Sequence, residues 1–260
     1  MSAAGYRSIF TPGLFDGRVA VVTGGGSGIG RCTAHELAAL GATVVLVGRN
    51  ADKLRTVVEE ITADGGRADS AVCDVRHEDR VKETVGTILE RHARIDALVN
   101  NAGGQYISPL DSISAKGFEA VVATNLTGGF LMARECHSQS MRSHGGAIVN
   151  VVADMWGSMP TMGHSGAARA GMVSLTETAA LEWAASGVRV NAVAPTYIET
   201  AMTRPGMDKP DWYKIWMDMT PMGRVGQPPE IATCVLFLAT DAASLVTGHV
   251  LVADAGYTIW

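Results

Sequence analysis

The sequence predicts an α/β fold, a single domain with a doubly wound parallel sheet and helices on both faces. Short apolar runs of strand length alternate with longer stretches that repeat apolar residues at helical spacing. No linker or shift in composition interrupts this alternation over residues 1–260. The first apolar run, over 19–22, passes through a glycine-crowded turn straight into a helical pattern over 31–40. This order of strand, tight turn and helix is typical of parallel sheets.

The composition argues against several classes of protein and partner. The chain carries a net charge of −5, which argues against a nucleic-acid partner. No apolar run is long enough to cross a bilayer, and residues 1–17 lack the apolar core of a signal peptide. The 4 cysteines are far apart and the 7 histidines lack ligand spacing. We therefore expect no metal site, no membrane contact and a cytoplasmic protein.

The turn after the first strand has the chemistry of a phosphate cradle. Its spacing is Thr-Gly-x-x-x-Gly-x-Gly, which is neither the G-x-G-x-x-G fingerprint nor a P-loop. Glycines let the backbone approach a pyrophosphate, and the first helical N–H groups favour an anion. An ordinary tight turn is the alternative for this motif alone. With the rest of the chain, it predicts a Rossmann-type dinucleotide site. Its expected cofactor contacts are Thr23, Gly24, Ser27, Gly28, Ile29 and Gly30.

The next elements predict how the adenosine end of a cofactor is read. A second strand over 42–48 ends at Arg49, where an acid would favour NAD and an arginine pairs with a 2′-phosphate. NADP(H) is therefore expected over NAD(H), although Arg49 could also be a solvated loop residue. A helix over 50–63 and a third strand over 70–72 lead to Asp74 and Val75. Asp74 either meets the adenine edge or caps the helix predicted over 77–92.

A fourth strand, over 96–99, leads into motifs that complete a family pattern. These motifs are Asn100-Asn-Ala-Gly103, Asn125-Leu-Thr-Gly128, Arg189-Val-Asn-Ala-Val-Ala-Pro195 and the stretch Gly248 to Gly256. With the glycine turn, they resemble the short-chain dehydrogenase/reductase family over nearly the whole chain. The resemblance implies a nicotinamide cofactor lying across the carboxyl ends of the strands. It places Asn101, Ala102 and Gly103 on the adenosine side, and Pro195, Ile198 and Thr200 at the nicotinamide and pyrophosphate.

The same resemblance shows that the usual catalytic set is altered. Members of the family typically use Asn, Ser, Tyr and Lys, and this chain keeps only the first, as Asn125. Ser165 and Arg169 stand at the Tyr and Lys positions, and the Ser position falls on Ala153 or Val152. Serine is a poor general acid near neutral pH. Arginine still donates to ribose hydroxyls but does not shuttle protons. We therefore expect Asn125, Ser165 and Arg169 as the catalytic group.

Three functions follow from these residues. His164-Ser-Gly-Ala-Ala-Arg-Ala-Gly171, Asn101-Ala-Gly-Gly-Gln105 and Tyr6-Arg7-Ser8 are similar to the peroxisomal trans-2-enoyl-CoA reductases of this family. This implies NADPH-dependent saturation of 2-enoyl-CoA thioesters in fatty acid metabolism, a reaction in which donors to an enolate oxygen are enough. Similar bacterial proteins are often assigned to terpenoid alcohol or aldehyde oxidation. The third candidate function is that of a catalytically weakened dinucleotide-binding protein.

The remaining predictions concern the proton donor, the lid and the oligomer. Asp154 is either a carboxylic acid in an apolar site or a solvated loop residue, and the second is favoured. His164 is a candidate proton donor, but a structural histidine at a helix start is favoured. Tyr106 and Tyr197 are equally cleft or packing residues. The irregular, Met- and Trp-rich stretch 196–222 is predicted to be a substrate lid, with a subunit contact as its alternative. Long helices over 118–141 and 163–185 fit the homo-oligomer, a dimer or tetramer, that the resemblance implies. The last predicted elements are a helix over 229–238 and a strand over 249–252.

Overall fold

Seven parallel strands form one sheet in the order β3-β2-β1-β4-β5-β6-β7. The computed structural model describes residues 10–259, so the Tyr6-Arg7-Ser8 motif lies outside the described residues. The strand order reverses between β1 and β4, and this opens a crevice at the carboxyl ends of the strands. The predicted single-domain Rossmann-type fold is confirmed. The strands are β1 Val19–Thr23, β2 Thr43–Gly48, β3 Arg67–Val72, β4 Ala97–Asn100, β5 Gly146–Val151, β6 Val188–Pro195 and β7 Val250–Ala253.

Helices cover both faces of the sheet and enclose two apolar cores. One core lies under α1, α2 and α9, and the other under α3, α5 and α6. The α-helices are α1 Gly28–Ala39, α2 Ala51–Ala63, α3 Glu78–His92, α4 Ala115–Val122, α5 Gly128–Gln139, α6 Gly163–Trp183, α7 Arg204–Met207, α8 Pro210–Asp218 and α9 Pro228–Ala239. Within residues 10–259, no helix is both long and apolar enough to cross a membrane.

Three predicted segments differ from the structure. The third strand, predicted over 70–72, begins earlier, at Arg67. The helix expected over 118–141 begins earlier, because the Ser114 hydroxyl caps α4 at the N–H of Gly117. A π-helical turn over Ala123–Thr127 then separates α4 from α5. The stretch 196–222 was expected to be irregular but contains α7 and α8, each with a proline in its first turn. Proline starts helices at that position because its missing N–H has no helical partner there.

Candidate active site

Hydrogen bonds join the glycine turn to the loop that follows β4. Gly24 and Gly28 have φ values of +65° and +53°, a left-handed conformation that favours glycine. The Thr23 hydroxyl accepts hydrogen bonds from the N–H groups of Asn101 and Ala102, at 3.0 and 2.9 Å. The side-chain amide of Asn101 donates in return, through Nδ2, to the Thr23 carbonyl. A Cβ at Gly30 would clash with this Nδ2. Ser27 makes no side-chain cap, so no side chain of the N-cap occupies the first N–H groups of α1, which can bind an anion.

A cavity of about 570 Å³ lies beside this turn at the end of β2. Its wall carries the cations Arg49 and Lys53, together with Asp74. Hydrogen bonds from the Arg76 guanidinium lower the pKa of Asp74 to about 2, so this carboxylate is already neutralised by its own partner. Asp74 does not cap α3, which begins after His77 without a side-chain cap. Lys53 was not predicted as a cofactor residue from the sequence, although it lies about one helical turn beyond Arg49.

A second cavity of about 260 Å³ continues from the first towards β5 and β6. The predicted cofactor residues line one or both of these cavities, except Thr23 and Gly30, which are packed behind the turn. The residues predicted from separate motifs therefore meet in one cleft. Those in the second cavity are Gly24, Ser27, Gly28, Ile29, Asn101, Ala102, Gly103, Arg169, Pro195, Ile198 and Thr200.

Arg169 presents a buried cation to the second cavity. Its Nη1 donates to the Val151 carbonyl at 2.7 Å, whereas its Nε has no hydrogen-bond partner among the described residues. Burial lowers the pKa of this guanidinium to about 10, and the side chain remains cationic at neutral pH. A Cβ on Gly103 would lie 2.8 Å from Nη2, so only a glycine leaves this face clear. An unpaired donor beside a glycine-lined cleft fits the ribose of a dinucleotide.

Asn125 holds the site together and does not line either cavity. Its side chain lies in the π-helical turn and is 3% exposed. The amide donates to the carbonyl of Gly104 at 2.7 Å, and its oxygen accepts from the N–H of Gly104 at 3.0 Å. Both ends of the amide are therefore used to fix the loop after β4. Asn125, expected as a member of the catalytic group, therefore contacts the loop after β4 in this structure, and its catalytic role stays a prediction.

Ser165 is also placed behind the cleft. Its side chain is fully buried, and its hydroxyl donates to Oε1 of Gln105 at 3.2 Å. Gln105 lines both the second cavity and a third one, so its carboxamide stands where the two meet. His164 is buried beside it at the start of α6, which fits its predicted structural role. Gln105 was not predicted as a site residue from the sequence, because there it is only the last residue of a family motif.

The third cavity, of about 390 Å³, has a wall of aromatic and methionine side chains. Tyr197 stacks on Trp216 with ring centroids 4.5 Å apart, and the Lys209 ammonium lies 4.6 Å over Trp212. Tyr106 and Tyr197 both line this cavity. Burial, and then the neighbouring Tyr257, raise the pKa of Tyr197, which makes it a weaker acid than an ordinary phenol. Residues of 196–222 thus form a large part of the lining of this cavity.

The interpretation of Asp154 as a solvated loop residue is wrong. Beyond the end of β5, the backbone still pairs with β6, and the Asp154 N–H donates to the carbonyl of Pro195 at 3.0 Å. This pairing brings the carboxyl group into the third cavity. Its Oδ1 is buried without a hydrogen-bond partner in the described chain. Burial, and then the charge of Asp254, raise the pKa of Asp154 to about 6.

A glycine cradle, a buried cation and an adjoining apolar pocket define a dinucleotide-dependent oxidoreductase. The family model described as enoyl-(acyl carrier protein) reductase matches residues 24–258. The chain belongs to the short-chain dehydrogenase/reductase family, whose members bind nicotinamide dinucleotides. Among residues 10–259 no group of His, Cys, Asp or Glu is arranged to hold a metal ion.

Relatives in this family act on different substrates. A solved structure of a citronellol catabolism dehydrogenase (AtuB) from Pseudomonas aeruginosa PAO1 is 53% identical, with a TM-score of 0.89, over 97% of this chain and 100% of that one. Galactitol 2-dehydrogenase from Cereibacter sphaeroides is 39% identical over 98% of this chain and 99% of its own. The peroxisomal 2,4-dienoyl-CoA reductase of Danio rerio is 36% identical over 96% of this chain and 85% of its own.

Proposed function

We propose that this protein is an NADP(H)-dependent reductase of the C=C bond of trans-2-enoyl-CoA thioesters. One observation carries the proposal: Ser165, at the position of the family's tyrosine, is buried behind Gln105. The pocket therefore offers no phenol at that position to protonate an alkoxide. It offers an amide donor instead, which suits an enolate oxygen. The family model and the dienoyl-CoA reductase relative support a thioester substrate.

The charges around the first cavity support NADP(H) as the cofactor. Arg49 and Lys53 line its wall, and its one lining carboxylate, Asp74, is paired with Arg76. A 2′-phosphate there would meet two cations that form no salt bridge within the described chain, whereas a free 2′-hydroxyl would meet only a carboxylate already paired with Arg76. Arg169 would hold the nicotinamide ribose through its remaining N–H donors. The bound nicotinamide supplies a hydride.

Within the pocket, Gln105 has the central role. Its Oε1 accepts from Ser165, which leaves the N–H donors of its Nε2 for a substrate oxygen. Negative charge that develops on the thioester oxygen would be stabilised by such a preorganised donor. Tyr197, Trp216 and Met159 would enclose the acyl chain. Lys209, over Trp212 on the same cavity, is a cation available to the anionic CoA portion.

The test is to follow NADPH oxidation with trans-2-enoyl-CoA thioesters of four to ten carbons. A matched ketone and aldehyde are assayed in parallel, and the saturated thioester is identified by mass spectrometry. We expect turnover of the thioesters to exceed that of both carbonyl compounds. Turnover of carbonyls or alcohols without turnover of the thioesters would contradict the proposed reaction.

A specific observation favours oxidation of terpenoid alcohols as a second candidate. The citronellol catabolism dehydrogenase is 53% identical, and the aromatic pocket would also accept a branched C10 chain. Citronellol and geraniol with NADP+ therefore form the second arm of the assay. Tight cofactor binding without turnover in either arm would favour the catalytically weakened binding protein.

Assembly and location remain proposals. Exposed apolar residues on α4, α5 and α6, namely Phe118, Phe130 and Leu181, support a homo-oligomer built on these helices. Light scattering after size exclusion would distinguish a monomer from the dimer or tetramer. A cytoplasmic location without a nucleic-acid or membrane partner stays a prediction.

A further inference from the structure

We propose that Asp154 is the general acid that protonates the α-carbon of the substrate. This inference rests on the proposed enoyl-thioester reduction and supplies the proton donor that the altered family motif lacks. The carboxyl group lines the third cavity, together with Gln105 and Tyr197. Its backbone is bonded to Pro195, a residue that lines both the second and the third cavity. Asp154 thus stands beside the junction through which a cofactor and a substrate would meet.

The hydrogen bonding of Asp154 also indicates a functional group. Buried polar atoms in proteins nearly always have a partner, because an unpaired one costs free energy. Oδ1 of Asp154 is buried without one, and no cation pairs with this carboxylate within the described chain. A structural aspartate would be expected to cap a helix or bind an arginine, as Asp74 binds Arg76. A catalytic acid requires a carboxyl group that is free to meet the substrate.

Burial and a neighbouring carboxylate favour the protonated form of Asp154. Asp254 follows β7 and is negatively charged. Burial would raise the pKa of Asp254, but hydrogen bonds from Thr258 and Gly256 hold this pKa below its usual range. The phenols of Tyr197 and Tyr257 face the same cavity, as does the Lys209 ammonium from the lid. Burial and the Asp254 charge together raise the pKa of Asp154 to about 6. A fraction of the carboxyl groups is therefore protonated near neutral pH.

The proposed step balances without a further reactant. The β-carbon accepts the hydride that NADPH donates, the C=C π bond breaks, and its electron pair moves onto the thioester as an enolate. Gln105 donates a hydrogen bond to the enolate oxygen. The enolate then collapses, a C–H bond forms at the α-carbon, and the O–H bond of Asp154 breaks. Solvent entering at the mouth of the pocket reprotonates the carboxylate once the saturated thioester has left.

The decisive experiment is reduction of crotonyl-CoA by NADPH in D2O with Asp154→Asn as the test variant. Asparagine keeps the shape of aspartate but does not transfer a proton. We expect at least a hundredfold lower kcat, in line with the 10²–10⁴-fold typical of a positioned general acid. The wild type should place deuterium on one face of the α-carbon, and the variant should label both faces. Asp154→Ala should regain activity with added formate.

The pH profile separates an acid from a structural residue. For the wild type, kcat should fall as pH rises above about 6, because the protonated acid is depleted. For Asp154→Asn the profile should be flat over the same range, with the NADPH dissociation constant unchanged. Unchanged rate and stereochemistry in this variant would overturn the role of Asp154 alone, as would a lower rate with an unaltered pH profile and no formate rescue. A wild type inactive on every enoyl thioester would overturn the proposed function, and the α-carbon step with it.

Discussion

The hydroxyl of Ser165 donates a hydrogen bond to Oε1 of Gln105 at 3.2 Å. Ser165 is fully buried, whereas Gln105 lines the two cavities where a cofactor and a substrate would meet. Ser165, which the family resemblance aligns with the usual tyrosine, therefore contacts the pocket only through a neighbour. A carboxamide donates hydrogen bonds but does not transfer protons. This pair is suited to holding an oxygen anion.

Removing the carboxamide should slow the reaction more than removing the hydroxyl behind it. We expect Gln105→Ala to lower kcat for enoyl-CoA reduction by about 10²-fold, the loss typical of an oxyanion donor. Ser165→Ala should lower it by about tenfold, because the amide keeps its place but loses its orientation. Steady-state kinetics of both variants and the double variant form a cycle. Independent, additive effects would contradict the coupling of the two residues.

The cations beside the glycine turn should determine cofactor choice. Arg49→Ala is expected to weaken NADPH binding by about 1.5–3 kcal/mol, tenfold or more, with little effect on NADH. Lys53→Ala should act in the same direction, since it lines the same wall. Fluorescence titration of both cofactors gives the dissociation constants. Arg55→Ala is the matched control, because Arg55 lies on α2 with Lys53 but is paired with Asp52. Equal wild-type affinities for the two cofactors would refute the preference.

Arg169→Met should weaken cofactor binding and reduce turnover while leaving the apoprotein folded. Arg169 is 9% exposed, and its guanidinium has one hydrogen bond, to the Val151 carbonyl, and no carboxylate partner in the described chain, so its loss should cost little stability. We expect the NADPH dissociation constant to rise at least tenfold, with the melting temperature changed by only a few degrees. Arg169→Lys should recover part of the affinity. Normal affinity and rate in Arg169→Met would show that the cofactor does not reach this residue.

Two adjacent glycines provide a matched pair for the cleft. A Cβ at Gly103 would lie 2.6 Å from Oδ1 of Asn125 and 2.8 Å from Nη2 of Arg169, whereas a Cβ at Gly104 meets nothing within 4 Å. Gly103→Ala should therefore disturb the cofactor site and weaken NADPH binding, and Gly104→Ala should bind normally. Calorimetric titration of both variants tests this difference. Similar affinities would mean that the cleft yields easily at Gly103.

The stacked rings of Tyr197 and Trp216 should set the length of chain accepted. Trp216→Ala removes part of the pocket wall and leaves space for a longer substrate. We expect the ratio of kcat/KM for decenoyl-CoA to that for crotonyl-CoA to rise in this variant. An unchanged ratio would indicate that α8 does not cover the acyl chain and that 196–222 is not a substrate lid.

The cofactor cleft could be predicted because its determinants are local in sequence. The apolar run of β1, the turn with Gly24 and Gly28, and the start of α1 form one continuous segment. The backbone geometry of this turn depends on glycines with left-handed φ values, and the positions of glycine in the sequence indicate where those values occur. Pro195, Ile198 and Thr200 could be placed only through the family resemblance, and the structure brings them to the same cavity.

By itself the sequence determined the fold, the family and the edge of the sheet at which a dinucleotide would lie. Only the tertiary structure decided that Ser165 is enclosed, that Gln105 takes its place at the cavity, and that Asp154 is a half-buried acid. The physical reason is that burial and hydrogen bonding depend on contacts between distant segments. Gln105 and Ser165 are 60 residues apart, and Asp154 depends on its pairing with Pro195 of β6. No spacing within one strand or helix encodes such contacts, because they form only when the loops after β4, β5 and β6 converge.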